Sequence, residues 1–368
     1  MNIVMAPDSF KGSLSALEVA KAMAEGARAA NPDVNVTLMP MADGGEGTID
    51  ALEKSVSRHF PVTVKSPTGD AVDTNFVTLT YKGREVAVIE CARSTGLALV
   101  PEHERDQAVL NSFGLGEQMK YAVKAGVRKL VVSLGGSATT DGGTGMLQAL
   151  GFRLFNEKNE ELPNDRNALG EVARIDDRNV LPELVECDVT NPFYGENGAA
   201  YVYGPQKGAT GEQVLRLDEG LRQFASVVFD QMGVDLQQVE GAGAAGGLGG
   251  ALAGVLGARM ESGFLIVADL VGLEDAIRTA DLVLTGEGSL DAQSAHGKVP
   301  MSVAKLAESY GIMAVGLAGA VDIAGRYDPL RAVFSVQTGP CALEEALEET
   351  NAYGNIRHVS EQVVRMFV

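Results

Sequence analysis

The chain has 368 residues, beyond the size at which one core usually stops growing, and its 45% hydrophobic content without tryptophan suits α/β domains rather than a disordered chain. With 49 acidic against 30 basic residues the net charge is −19, which excludes non-specific nucleic-acid binding but not a small anion held by local lysines and backbone donors. Three cysteines, Cys91, Cys187 and Cys341, are too widely spaced for a CxxC motif, and no basic, apolar leader or run of about eighteen apolar residues occurs; a reduced cytoplasmic setting without membrane attachment is expected.

In chain order, residues 2–6 read as a strand stopped by Pro7, and Asp8, Ser9 and Lys11 follow in its loop. A helix carrying Leu14, Leu17, Ala20, Ala24 and Ala27 comes next, with Ser15 and Glu18 at capping-box spacing and Asn31-Pro32 as its stop. Residues 34–39 form a second strand before the turn Asp43-Gly44-Gly45-Glu46, completing a βαβ pattern. Residues 62–65, 75–80 and 85–90 read as antiparallel strands separated by turns at Gly69 and Gly83. A helix over 106–124 ends at Gly126, and residues 130–134 form a strand leading into Gly135-Gly136-Ser137-Ala138-Thr139-Thr140-Asp141-Gly142-Gly143.

That loop is the focal stretch, because its glycines let backbone approach a ligand, its hydroxyls donate, and the helix over 145–151 would offer N–H groups to an anion. The alternative is a tight turn holding nothing. Further on, Asp188 follows an apolar approach, a helix spans 215–232, and strands return at 282–284, 314–317 and 332–335. The expected architecture is a discontinuous doubly wound, flavodoxin-like parallel-sheet α/β domain (residues 1–65 plus 266–368) interrupted by a second mixed α/β domain (66–265).

Gly241-Ala242-Gly243-Ala244-Ala245-Gly246 satisfies GxGxxG, yet residues 234–240 lack the apolar strand that should feed a dinucleotide turn. A dinucleotide-dependent oxidoreductase using the Gly241 to Gly246 run, and a non-catalytic small-anion-binding protein, therefore stand as alternatives. There is no GxxxxGK[ST], no GxSxG, and no Cys/His cluster for zinc; the four histidines are scattered. Instead, loops after successive strands carry Asp8, Ser9 and Lys11; Asp43 and Glu46; Ser137 and Thr139; Asp188 and Asn191; Glu287, Asp291 and Lys298. Acids beside glycine loops suit magnesium and lysines suit phosphate, so this inventory points to phosphoryl transfer.

The segments APDSFKGSLSA (6–16), MADGGEGT (41–48), GGSATTDGGTG (135–145), CDVTNPFYGENGAA (187–200), GAGAAGGLG (241–249) and TGEGSLDAQSAHGK (285–298) together resemble the bacterial type I glycerate kinase family. The resemblance spans almost the whole chain. It implies an ATP- and Mg2+-dependent transfer of a phosphoryl group to D-glycerate, associated with 2-phosphoglycerate, although some kinases acting on glycerate make the 3-isomer. A cytoplasmic monomer or homodimer is expected. On this basis Ser9, Lys11, Arg93 and Asn191 are candidates for glycerate, with Arg93 standing where a small residue was expected. Gly135, Gly136, Ser137, Thr139, Gly142, Gly143 and Lys298 are candidates for the nucleotide phosphates, and Asp43 and Asp291 for the metal. Asp188, as candidate base, and Lys11, as a charge that offsets the carboxylate or the transferring phosphoryl group, are the catalytic candidates.

Overall fold

The computed structural model describes residues 1–176, 186–187, 192–291 and 298–368, with Glu186 and Cys187 described by backbone alone. In chain order the strands are β1 (Asn2–Met5), β2 (Asn35–Leu38), β3 (Val56–Lys65), β4 (Ala71–Tyr81), β5 (Arg84–Glu90), β6 (Leu130–Ser133), β7 (Arg153–Phe155), β8 (Arg174–Asp176), β9 (Glu186–Cys187), β10 (Arg259–Met260), β11 (Leu282–Leu290), β12 (Met313–Val321) and β13 (Ala332–Ser335). By their contacts, Met1–Asp43, Gly47–Ser55 and Phe264–Val368 form one compact unit, and Gly44–Glu46 with Val56–Gly263 form another.

In the first unit every strand pairing is parallel, in the order β2, β1, β11, β12, β13. This is the flavodoxin-like order, whose switch point lies where β1 and β11 sit side by side and their connections leave in opposite directions. Helix Ala16–Ala30 begins where the capping box predicts, since Ser15 accepts from the Glu18 N–H and Glu18 accepts from the Ser15 N–H. Its apolar face, including Val19 and Met23, packs with Ile3, Met5, Leu284, Leu317 and Ile356 in the core of this unit.

A mixed six-stranded sheet, ordered β10, β9, β6, β5, β4, β3, organises the second unit. β3, β4 and β5 are antiparallel, while β5, β6, β9 and β10 run parallel. Ile89, Val132, Met146, Leu221 and Phe224 belong to its core. The helix expected over 106–124 covers only Phe113–Lys124. Residues 106–110 instead form turns in which the Asp106 carbonyl accepts from Val109 and Leu110, and the Asn111 side chain accepts from the Phe113 N–H. Conversely, the helix expected from 215 starts at Gly211, because Thr210 and Gln213 make a second capping box. Among the described residues no helix is long and apolar enough to cross a membrane.

Candidate functional site

After β1 the backbone stays against β11: the Ala6 N–H donates to the Leu284 carbonyl and the Asp8 N–H to Gly286, both at 2.8 Å. Thr285 locks the same junction through a 2.7 Å hydrogen bond from its hydroxyl to the Ala6 carbonyl. Two backbone bonds between Phe10 and Leu14 then close a tight loop on Lys11 and Gly12. Asp8, Ser9 and Lys11 are thus delivered to the carboxyl end of the sheet at its switch point, where doubly wound folds bind ligands. A cavity of about 630 Å³ opens there, lined by Asp8, Ser9, Lys11, Asp43, Glu287, Ser289 and Lys298 on its polar side and by Val336, Pro340, Leu343 and Leu347 on an apolar side.

The polar side is electrostatically crowded. Asp8 is buried, and its carboxyl is pushed from 3.8 up to about 7, first by desolvation and then by the Asp43 charge, with a smaller push from Glu287. Two effects oppose the rise: a 2.6 Å hydrogen bond from the Ser9 N–H to Asp8 Oδ1, and the Lys11 charge. Lys298 Nζ lies 3.6 Å from Glu287 and 4.0 Å from Asp291. The first unit therefore gathers Ser9, Lys11, Asp43 and Lys298 around one cavity, with Asp291 attached through Lys298.

In the second unit, the loop after β6 is built differently from the sequence expectation. Asp141 Oδ2 accepts from the Ser112 N–H, the Ser112 hydroxyl and the Gly145 N–H, and Oδ1 accepts from the Gly143 N–H. Ser112 Oγ accepts from the Met146 N–H and the Gly246 carbonyl from the Gly142 N–H. The start of helix Thr144–Leu150 thus carries its own carboxylate, and the N–H groups of Gly142 and Gly143 are spent inside the protein rather than offered to a ligand. Gly135 needs to be glycine because a Cβ there would stand 2.4 Å from the Gly45 Cα.

The glycine-alanine run packs onto this same loop. A Cβ on Gly246 would meet the Thr139 carbonyl oxygen at 2.1 Å, so the small residues serve close backbone approach. No strand feeds the run, since residues 236–243 are turns and bends before the helix Ala244–Gly250.

The comparisons with known proteins agree with this layout. A sequence model described as the Glycerate kinase family matches residues 3–368. The chain belongs to the glycerate kinase family. A glycerate 2-kinase of Escherichia coli (strain K12) is 42% identical over 375 residues, covering 99% of this chain and 97% of the relative. A glycerate kinase of Bacillus subtilis (strain 168) is 42% identical over 96% of this chain and 94% of its own length. Among solved structures, one assigned to glycerate kinase 2 of Salmonella typhimurium LT2 superposes with a TM-score of 0.85 at 42% identity, covering all of this chain and 98% of that one. Membership in the glycerate kinase family makes the chain a phosphotransferase with an alcohol acceptor, and it removes the oxidoreductase and non-catalytic alternatives.

For a member of the glycerate kinase family, the remaining candidates fall as follows. Arg93 is occupied within the second unit, donating to Asn75 Oδ1 at 2.9 Å and lying 3.4 Å from Glu90. Ser137 and Thr139 are buried on the loop, where Thr139 Oγ1 has no hydrogen-bond partner among the described residues. Asp188 and Asn191 lie outside the described residues. Sequence reasoning did not single out Asp141 or Lys207. The signal for Asp141 was its place directly before Gly142-Gly143, and for Lys207 a cation between Pro205 and Gly208 in a chain poor in cations.

Proposed function

We propose that this chain transfers the γ-phosphoryl group of ATP to a hydroxyl of D-glycerate, giving 2-phosphoglycerate, in a magnesium-dependent reaction. The observation that carries this reading is the switch-point cavity, where Lys11 and Lys298 stand among Asp8, Asp43 and Glu287. Glycerate brings a carboxylate and two hydroxyls, so Lys11 neutralises the carboxylate while Ser9 supplies a hydroxyl donor; Arg93 and Asn191 are the further substrate candidates. The nucleotide phosphates are proposed for Gly135, Gly136, Ser137 and Thr139 of the second unit, with Gly142 and Gly143 as backbone spacers; Lys298, in the first-unit cavity, stands as a separate cation candidate for the nucleotide.

The donor chemistry of the cavity fits magnesium. Asp8, Asp43 and Glu287 are hard oxygen donors, with the Asp43 and Glu287 charges both acting on Asp8, and Mg2+ is normally held by one or two carboxylates together with substrate phosphates. Asp43 and Asp291 would hold it, and when bound it neutralises charge on the phosphoryl oxygens. The rest of the work falls to the chain's own groups. Asp188 accepts the proton of the attacking hydroxyl, Lys11 holds the acid in line, and the cations offset charge as it moves to the leaving phosphate.

The E. coli relative named glycerate 2-kinase favours the 2-hydroxyl as acceptor. Phosphorus NMR of the product made from D-glycerate and ATP tests this directly. A phosphomonoester signal coupled to the C2 proton is expected, and a signal coupled to the two C3 protons would assign the 3-isomer.

A further inference from the structure

Lys207 is the least expected charge in the second unit. It ends the single 3-10 turn Pro205–Lys207 and is only 4% exposed, in a chain where most other lysines reach solvent. Its ammonium donates to Ser137 Oγ at 2.8 Å and to the Thr139 carbonyl at 2.6 Å, which uses two of its three protons on neutral acceptors. Among the described residues no carboxylate lies within ion-pair distance of it. A buried ammonium with no carboxylate in contact is costly, and desolvation pulls the Lys207 pKa from 10.5 down to about 8 against smaller opposing effects of Cys91 and of the more distant Asp141 charge.

The surroundings of this lysine are built. Gln107 Nε2 donates to the Lys207 carbonyl and to the Ala138 carbonyl, both at 2.9 Å, tying the lysine's backbone to the loop that its side chain holds. The Ala138 N–H donates to Thr95 and the Leu97 N–H to Gly136, fixing the loop from the other side. Beside it lies a pocket of about 320 Å³ lined by Gly135, Gly136, Ser137, Gln206, Lys207 and Ala245. A loop clamp needs only a neutral donor. A positive charge that the distant Asp141 only partly offsets, on the wall of an open, glycine-lined pocket, favours an anion there.

We propose that Lys207 is the cation of an anion-binding pocket formed with Gly135, Gly136 and Ser137, and that its ligand is a phosphate group of the nucleotide. The inference deepens the kinase reading and depends on it only for the identity of the natural anion. Lys207 supplies charge to the loop whose helix start is already occupied by Asp141, so binding strength in this pocket resides in one side chain.

The test is calorimetric titration of the full chain with inorganic tripolyphosphate, ADP and adenosine, for wild type, Lys207→Met and Lys207→Arg, with melting recorded for each. Lys207→Met is expected to lose roughly 10–100-fold in affinity for tripolyphosphate and ADP, the range for a hydrogen bond to a charged group, while adenosine affinity is unchanged and Lys207→Arg recovers part of the loss. Equal losses for adenosine and ADP, or ADP affinity unchanged in Lys207→Met, overturn the proposal and leave Lys207 a loop clamp. A measurement on wild type covers the case in which the methionine variant fails to fold. With lysines labelled at Cε, tripolyphosphate should shift the resonance that Lys207→Arg removes, and an unmoved resonance at saturation overturns the proposal. Lys207-dependent binding of tripolyphosphate in a protein that releases no ADP with D-glycerate would support the pocket and defeat the kinase reading.

Discussion

Replacing Asp8 by asparagine removes a charge that the fold holds at a cost. The carboxyl is 7% exposed and its Oδ1 accepts the Ser9 N–H at 2.6 Å, a bond that an asparagine oxygen keeps. With a pKa raised from 3.8 to about 7, the folded chain carries a proton between those limits that the unfolded chain has already lost. Stability therefore falls as pH rises through this window, and the loss is complete above about pH 7. At 1.36 kcal/mol per pKa unit, the full cost of ionising Asp8 is at most about 4 kcal/mol. The chain's isoelectric point near 4.6 makes the acid end unsuitable for measurement. Between about pH 5.5 and pH 8 roughly 2 kcal/mol remains to be seen. Urea unfolding of wild type and Asp8→Asn at those two pH values measures it. The variant should gain about 2 kcal/mol on wild type between the lower and the higher pH, and parallel pH dependences would refute a buried, charge-crowded Asp8.

Asp141→Ala strips the acceptor from the Ser112 N–H and hydroxyl and from the Gly143 and Gly145 N–H groups, and orphaned buried donors cost about 1–3 kcal/mol each. Urea unfolding should show a loss of about 3 kcal/mol or more, and a loss under about 1 kcal/mol would mean that the loop does not depend on this carboxylate. Lys11→Met, at an exposed position lining the first-unit cavity, should lower kcat/KM for D-glycerate by about 10–100-fold without changing melting; near-normal kinetics would place Lys11 outside the site. Asp188→Asn should lower kcat by about 10²–10⁴-fold with glycerate KM and melting unchanged, whereas lost stability with kcat preserved would make Asp188 a turn cap.

The parallel sheet was legible because its central strands are buried on both faces and appear as plain apolar runs: residues 282–284 were expected as a strand and fall within β11, where all three are buried. Capping residues were equally readable, since Ser15 and Glu18 act locally. The start of helix Phe113–Lys124 was not, because Leu110 and Phe113 keep a helical i,i+3 spacing across the boundary while the break is made by side chains of Asp106 and Asn111 bonding nearby backbone. Hairpin β7 and β8 was invisible for another reason: three-residue strands carry too little alternation to register.

The same contrast holds at the candidate sites. Asp8, Ser9 and Lys11 could be read from sequence because one strand delivers all three to one loop. Lys207 could not, since its meeting with Ser137 joins positions seventy residues apart through tertiary packing. Asp141 was hidden by its neighbours, whose glycines suggested free N–H donors until the structure filled those donors with the carboxylate.

Release of ADP from ATP, followed in a coupled assay with and without D-glycerate and with and without Mg2+, tests the central claim most directly. ADP formation is expected only when D-glycerate and Mg2+ are both present. Turnover that is indifferent to D-glycerate, or that persists unchanged in excess chelator, would contradict it.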